Sequence, residues 1–156
     1  MTTGRPAILL VCLGNICRSP LAEAALRIEA ERAGLSIEID SAGTGDWHAG
    51  NPPDPRAQAV ARAAGTDISD LRARQVTSDD FCRFTHIFAM DAQNLADLHA
   101  VMPRDATARV ALLLDAVPGR EGASVRDPYY GGEQLFEDTW DDVSLAARMI
   151  VSSLAG

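Results

Sequence analysis

Lysine is missing from this sequence: all 14 basic residues among its 156 are arginines. Catalysis through a lysine amine, Schiff-base chemistry included, is therefore ruled out. Cysteine is scarce, with only Cys12, Cys17 and Cys82. An odd and small number excludes a disulfide framework. No Cys/His set has zinc-binding spacing, and His48, His86 and His99 are scattered, so neither a metal nor any other cofactor is expected. No stretch approaches the roughly 20 apolar residues that span a bilayer. The leading MTTGRPAILLVC has one arginine and a short apolar run without a small-residue cleavage site, and it reads as a strand rather than an export signal. Reduced thiols and a cytoplasmic location follow as expectations. The net charge of −8 argues against nucleic-acid partners and anionic membranes. Internal repeats and low-complexity tracts are absent as well.

What is present is an ordinary globular balance, 47% hydrophobic and 23% charged, in a length that fits a single domain over 1–156. Strand-like runs fall at 7–12, 36–40, 85–90 and 109–114. Helical patterns fall at about 20–33, 55–64, 92–102 and 133–154, the last with the cleanest apolar stripe. Ser19-Pro20 reads as a helix start, with the serine as N-cap and the proline at the first helical position. Residues 41–55 and 117–132 read as long loops rich in glycine and proline. Cys82, in the helix-like DDFCRF, is expected in the core. Strands alternating with helices predict an α/β three-layer sandwich: a four-stranded parallel sheet with helices on both faces. Ligands in such sheets bind beyond the carboxyl ends of the strands.

VCLGNICRSP, residues 11–20, sits at such an end, between the first strand and its helix. A helix N-terminus leaves several N–H groups without partners and carries a positive dipole end. Gly14 and Asn15 tolerate unusual backbone angles, so the loop can turn successive N–H groups inward as an anion nest. Arg18 adds a planar fork suited to two oxygens of a phosphate. Helix N-termini and nearby cations favour the thiolate form of a cysteine. Cys12 is thus a candidate nucleophile toward a phosphorus atom, with Ser19 as hydrogen-bond donor to its sulfur. Displacing an alkoxide or phenolate also needs a proton donor. Asp127, in the turn VRDPYYGG, is the candidate: acid in the first step, then base toward water.

The chain resembles the low-molecular-weight protein tyrosine phosphatases over nearly its full length. The resemblance rests on VCLGNICRSP at 11–20, DSAGT at 40–44, GNPPDPR at 50–56, RARQ at 72–75, MD at 90–91 and DPYYG at 127–131. It implies Cys12 as nucleophile, Arg18 as phosphate clamp, Asp127 as general acid, and Ser19 assisting the thiolate. It implies that Leu13, Gly14, Asn15, Ile16 and Cys17 offer backbone N–H groups to the phosphate, with Asn15 shaping the loop and Ser41 as its partner. Leu13, Ile16, Trp47 and Tyr129 would line the mouth and grip an aromatic ring, which favours phosphotyrosine over the shorter phosphoserine. One departure stands out: Leu71 occupies the place of a histidine that in many relatives supports the loop asparagine. Cys17 lies close to Cys12 in this loop, and oxidants are expected to join the two in a reversible disulfide that protects the nucleophile.

Three other readings compete. Arsenate reductases of this fold need two further cysteines on a mobile segment, whereas only Cys82 lies beyond the loop here. Arginine phosphatases of this fold carry threonine where this chain has Ile16. A phosphate-binding module without turnover would be marked by loss of Cys12, Arg18 or Asp127, and all three are present. The partner implied is a tyrosine-phosphorylated protein, with an autophosphorylating tyrosine kinase as one candidate by analogy. A monomer is expected.

Overall fold

The computed structural model describes residues 5–155; the first four residues of the leading stretch read as strand lie outside the described residues. The elements follow in the order β1 (Ala7–Cys12), α1 (Arg18–Arg32), β2 (Glu38–Gly43), α2 (Pro55–Ala63), α3 (Asp80–Arg83), β3 (His86–Ala89), α4 (Ala92–Val101), β4 (Arg109–Leu112) and α5 (Glu133–Ala155), with a 3₁₀ turn at Leu113–Ala116. All pairings are parallel and the strand order is β2-β1-β3-β4.

β1 is a central strand, and all six of its residues are buried. That is why its sequence is a continuous apolar run rather than an alternating one. Side chains alternate across a strand, so β1 serves two cores at once. Ile8, Leu10 and Cys12 join the cluster under α1 and α5, with Leu21, Phe136 and Ile150. Leu9 and Val11 point the other way, against Phe81, Phe84, Ile87 and Leu98. Three layers result, as the alternation of strands and helices predicts.

Three sequence expectations need correction. β2 runs to Gly43, so Ser41 lies on a strand and not in a loop. It pairs with Leu10 of β1 in the register that carries Gly43 alongside Cys12. Ser19 is not the N-cap of α1. The helix starts at Arg18 with Cys17 as its cap residue and no side-chain cap bond, which leaves the first N–H groups open toward the loop. Cys82 is exposed rather than buried, because the single turn of α3 spends its buried positions on Phe81 and Asp80.

Chain order reverses between β1 and β3: β2 was laid on one side of β1, β3 on the other. A crevice opens beyond the strand ends at such a reversal. Cys12 ends β1, and Asp91 follows β3 by two residues.

Candidate active site

The loop between β1 and α1 folds around the sulfur of Cys12. Asn15 takes a left-handed conformation with φ 59°, one that its short polar side chain tolerates. That turn aims its backbone N–H at Cys12 Sγ, 3.2 Å away. Ser19 Oγ lies 3.1 Å from the same sulfur. Gly43 lets the loop sit close against β2: a Cβ there would stand 2.7 Å from the carbonyl oxygen of Leu13. The N–H groups of Thr44 and Gly45 donate to the carbonyls of Cys12 and Leu13, fastening the loop from below.

Behind the loop runs a buried chain of hydrogen bonds. Asn15 Nδ2 donates to Ser19 Oγ at 2.8 Å and to Ser41 Oγ at 3.0 Å. Ser41 donates to Glu23 at 2.7 Å, and Glu23, 1% exposed, also accepts from Arg27 at 2.7 Å. Asn15 Oδ1 accepts from the backbone N–H of Arg74.

Arg18 is 3% exposed. A guanidinium that deep needs partners. It donates to Asp91 Oδ2 at 2.7 Å and to the carbonyl of Val125 at 3.0 Å. Its other terminal nitrogen is 3.7 Å from Asp127 Oδ2, so nucleophile loop and acid candidate already converge on one cation. Asp127 is about half exposed, and its other oxygen accepts from the N–H of Tyr129 at 3.0 Å, an Asx turn closed over Pro128.

These groups line one pocket of about 260 Å³. Cys12, Arg18 and Asp127 form its polar part, while Leu13, Ile16, Trp47 and Tyr129 contribute apolar walls. Every sequence-predicted site residue lies in this pocket or in the hydrogen-bonded chain directly behind its loop. Burial is the leading cause that pushes the Cys17 thiol up from its ordinary pKa, reinforced by the charges of Asp54, Cys12 and Asp127. The three cysteines are free thiols. Among the described residues no group of three His, Cys, Asp or Glu side chains is arranged to hold a metal ion.

Sequence reasoning missed several participants. His48 lines the pocket and sits against Gly14, where a Cβ would meet its ring at 2.9 Å. Tyr130 also lines the mouth and packs edge-on against Tyr129, ring centroids 4.9 Å apart. Asp91 stands in the MD stretch at 90–91 but has no role in the sequence reading; its place just before α4 reads first as a helix cap, and only the structure brings Arg18 to its other oxygen.

A family model described as "Low molecular weight phosphotyrosine protein phosphatase" matches residues 7–155. The chain is 43% identical over 151 residues to the low molecular weight phosphotyrosine protein phosphatase of Schizosaccharomyces pombe, covering 95% of this chain and 96% of that protein. Its backbone resembles a protein tyrosine phosphatase from Entamoeba histolytica solved with Hepes in the active site, with TM-score 0.89, 36% identity and 96% of both chains covered. It also resembles a Drosophila arginine phosphatase, with TM-score 0.87, 30% identity, and 94% of this chain and 96% of that one covered.

Proposed function

The chain belongs to the low molecular weight phosphotyrosine protein phosphatase family, and from that premise we propose that it hydrolyses phosphotyrosine in proteins, without a metal, through a phosphocysteine on Cys12. The carrying observation is the surroundings of one sulfur. Cys12 Sγ meets the Asn15 N–H and the Ser19 hydroxyl, at the floor of a pocket that also holds Arg18 and Asp127.

In the first step the Cys12 thiolate attacks phosphorus, the S–P bond forms, and the P–O bond to tyrosine breaks. The departing phenolate oxygen takes the proton of the Asp127 carboxyl. In the second step the Asp127 carboxylate removes a proton from water, whose oxygen attacks phosphorus. The P–S bond breaks, inorganic phosphate leaves and the thiolate returns, with Ser19 stabilising it as leaving group. Arg18 and the N–H groups of residues 13–17 carry the charge on the phosphoryl oxygens throughout. Asp91 holds the Arg18 fork, and Asn15 and Ser41 hold the loop.

The apolar walls favour an aromatic ester. Ile16, aliphatic where arginine phosphatases carry threonine, supports a phenyl phosphate over phosphoarginine. Cys17, kept protonated by burial, does not compete as nucleophile toward phosphorus, and its place in the same loop as Cys12 is what fits it to a protective role. A peroxide would oxidise the Cys12 thiolate to a sulfenic acid. The Cys17 sulfur would then attack that sulfur, its proton passing to the departing hydroxide, which releases water and forms a disulfide that a thiol reductant reopens. We place the chain as a cytoplasmic monomer acting on phosphotyrosine proteins, an autophosphorylating tyrosine kinase being the first partner to try.

The test is hydrolysis of para-nitrophenyl phosphate at mildly acidic pH in the presence of EDTA. The native chain should turn over, Cys12→Ser should not, and Asp127→Asn should lose about 10²–10⁴-fold in kcat. Rapid denaturation at alkaline pH should trap phosphate on Cys12. Full activity in Cys12→Ser, or phosphoarginine hydrolysed faster than phosphotyrosine, would overturn the reading.

A further inference from the structure

The segment Asp127–Gly131 carries the acid candidate, yet it has few ties to the rest of the molecule. Among the described residues, its hydrogen bonds are of two kinds. Two are internal, Tyr129 N–H to Asp127 and Gly131 N–H to Pro128. The others come from one side chain: Arg56 Nη2 donates to the Tyr129 carbonyl at 2.9 Å and Nη1 to the Gly131 carbonyl at 3.1 Å. Arg18, 3.7 Å from Asp127, supplies charge but no hydrogen bond.

Arg56 is itself fixed. Asp54 accepts from its Nε at 3.0 Å and from its Nη2 at 2.9 Å, a fork-on-carboxylate pairing. Its plane lies over the ring of the buried Phe136, 4.6 Å from the centroid, and near that of Tyr129, at 5.7 Å. Both attractions favour the cation. Asp54 caps α2 through the Arg56 N–H, and its own N–H donates to the carbonyl of Ile16 at 2.8 Å. Burial raises the Asp54 pKa, but its hydrogen bonds from Arg56 outweigh that and hold it below the usual carboxylate value.

One continuous path therefore runs from the nucleophile loop at Ile16, through Asp54 and Arg56, to the peptide carbonyl of Tyr129, whose N–H holds the Asp127 carboxylate. We infer that Arg56, clamped by Asp54, is a positioning residue for proton transfer: it fixes the height of the Asp127 carboxyl relative to the phosphate loop. The inference rests on the proposed role of Asp127. Its geometry requires arginine. The guanidinium uses its flat fork for one carboxylate and two carbonyls at once, and lysine, a point charge on a flexible stem, cannot reproduce that.

Proton donation matters most when the leaving oxygen is basic. A positioning role is therefore read from leaving-group dependence and not from activity alone. The comparison is kcat/KM, which reports the steps through P–O cleavage, for para-nitrophenyl phosphate and for phenyl phosphate. The enzymes are native, Arg56→Gln, Arg56→Lys, Asp127→Asn and the Arg56→Gln/Asp127→Asn pair. In Arg56→Gln the ratio between the two substrates should rise by about tenfold, a part of the 10²–10⁴ a general acid supplies. Arg56→Lys should raise it by a similar factor. In the double variant the ratio should equal that of Asp127→Asn, because two changes that disable one device do not add.

An unchanged ratio in both Arg56 variants, whether or not both rates fall together, would overturn the inference and leave Arg56 a structural residue. If Arg56→Gln does not fold, judged by its circular dichroism, Arg56→Lys decides alone. The outcome for Asp127→Asn separates the two claims. A ratio unchanged in that variant sinks the general-acid role, whereas a ratio raised there but not in the Arg56 variants sinks only the clamp.

Discussion

The backbone N–H of Arg74 donates to Oδ1 of Asn15 at 3.0 Å, so the loop asparagine is supported by a main-chain group. The resemblance implies a supporting histidine at the position that Leu71 occupies here. Asn15 Oδ1 has the peptide N–H of Arg74 as its donor, and Leu71 packs its side chain against the core on the α1 side of the sheet. A backbone donor has no rotamer to lose and no titration, so this support does not depend on pH.

Restoring the histidine should therefore gain nothing. We expect Leu71→His to keep kcat/KM within about twofold of the native value, under ~0.5 kcal/mol in barrier. It should lower the melting temperature, since an apolar group packed on the core is replaced by a polar one. A severalfold rise in kcat/KM would show that the loop is underheld without it.

Arg18 and Asp91 give the second prediction. Asp91 does two jobs: Oδ2 accepts from Arg18, and Oδ1 caps α4 by accepting the N–H of Asn94 at 2.7 Å. Asparagine is as good a cap as aspartate, so Asp91→Asn isolates the first job. Losing a charge-assisted bond of ~1.5–3 kcal/mol leaves the fork free to swing, and the inhibition constant for inorganic phosphate should rise by about tenfold or more. Steady-state inhibition by phosphate measures this, and an unchanged constant would show that the loop alone orients Arg18.

Much of this site was readable in the sequence because it is local. Cys12, Asn15, Arg18 and Ser19 lie within one turn of chain, and the β1 run with the helix after it fixes what that turn must do. Asp127 stood out through its Pro-Tyr-Tyr-Gly setting. What was not readable depends on register between distant segments. Glu23 looks like an ordinary solvent-facing residue of α1 until β2 brings Ser41 alongside it. Arg56 looks like one more surface arginine of a short helix until the 129–131 carbonyls arrive. The misplaced N-cap has a local cause: serine before proline is a strong helix-start pattern, but the hydroxyl was drawn to sulfur and amide instead. Cys82 was misjudged because a single helical turn has no periodicity long enough to assign faces.

Cys17 gives a prediction about alkaline pH. Its folded-state pKa is raised well above the ordinary 9.0, first by burial and then by nearby negative charge. For an acid group that favours the protonated form when folded. Above pH 9.0 the unfolded chain releases this proton while the folded chain keeps it, so stability falls as pH rises, by at most ~1.4 kcal/mol per pH unit for one group. Below that pH both states are protonated and the effect vanishes. Urea melts between pH 8 and 10 should show this decline in the native chain and a shallower one in Cys17→Ala. Parallel slopes would assign the alkaline loss to other groups.

The last prediction concerns the buried carboxylate behind the loop. Glu23 Oε1 accepts a hydrogen bond from the Ser41 hydroxyl, which leaves the serine oxygen's lone pairs for Asn15. Arg27, itself about half exposed, balances the charge and also donates to the carbonyl of Ile39 at 2.7 Å. The bonds therefore share one direction, from Asn15 through Ser41 to Glu23, and the carboxylate orders them. Glu23→Ala removes the acceptor and leaves a buried hydroxyl free to turn its proton toward Asn15. The cost should be about 1–3 kcal/mol of stability, the usual penalty for stranding a buried polar group. Because Arg27 can return to water, it adds little to that penalty. Arg27→Ala instead strands the charge itself, so it should cost at least as much. In a double-mutant cycle the pair should couple by ~0.5–3 kcal/mol. Turnover discriminates the loop's share: Glu23→Ala should also lower kcat/KM, whereas a variant that is merely less stable, assayed well below its melting temperature, would not. Full kcat/KM in folded Glu23→Ala would confine this chain of bonds to stability and leave Ser19 and Arg74 to hold Asn15 unaided.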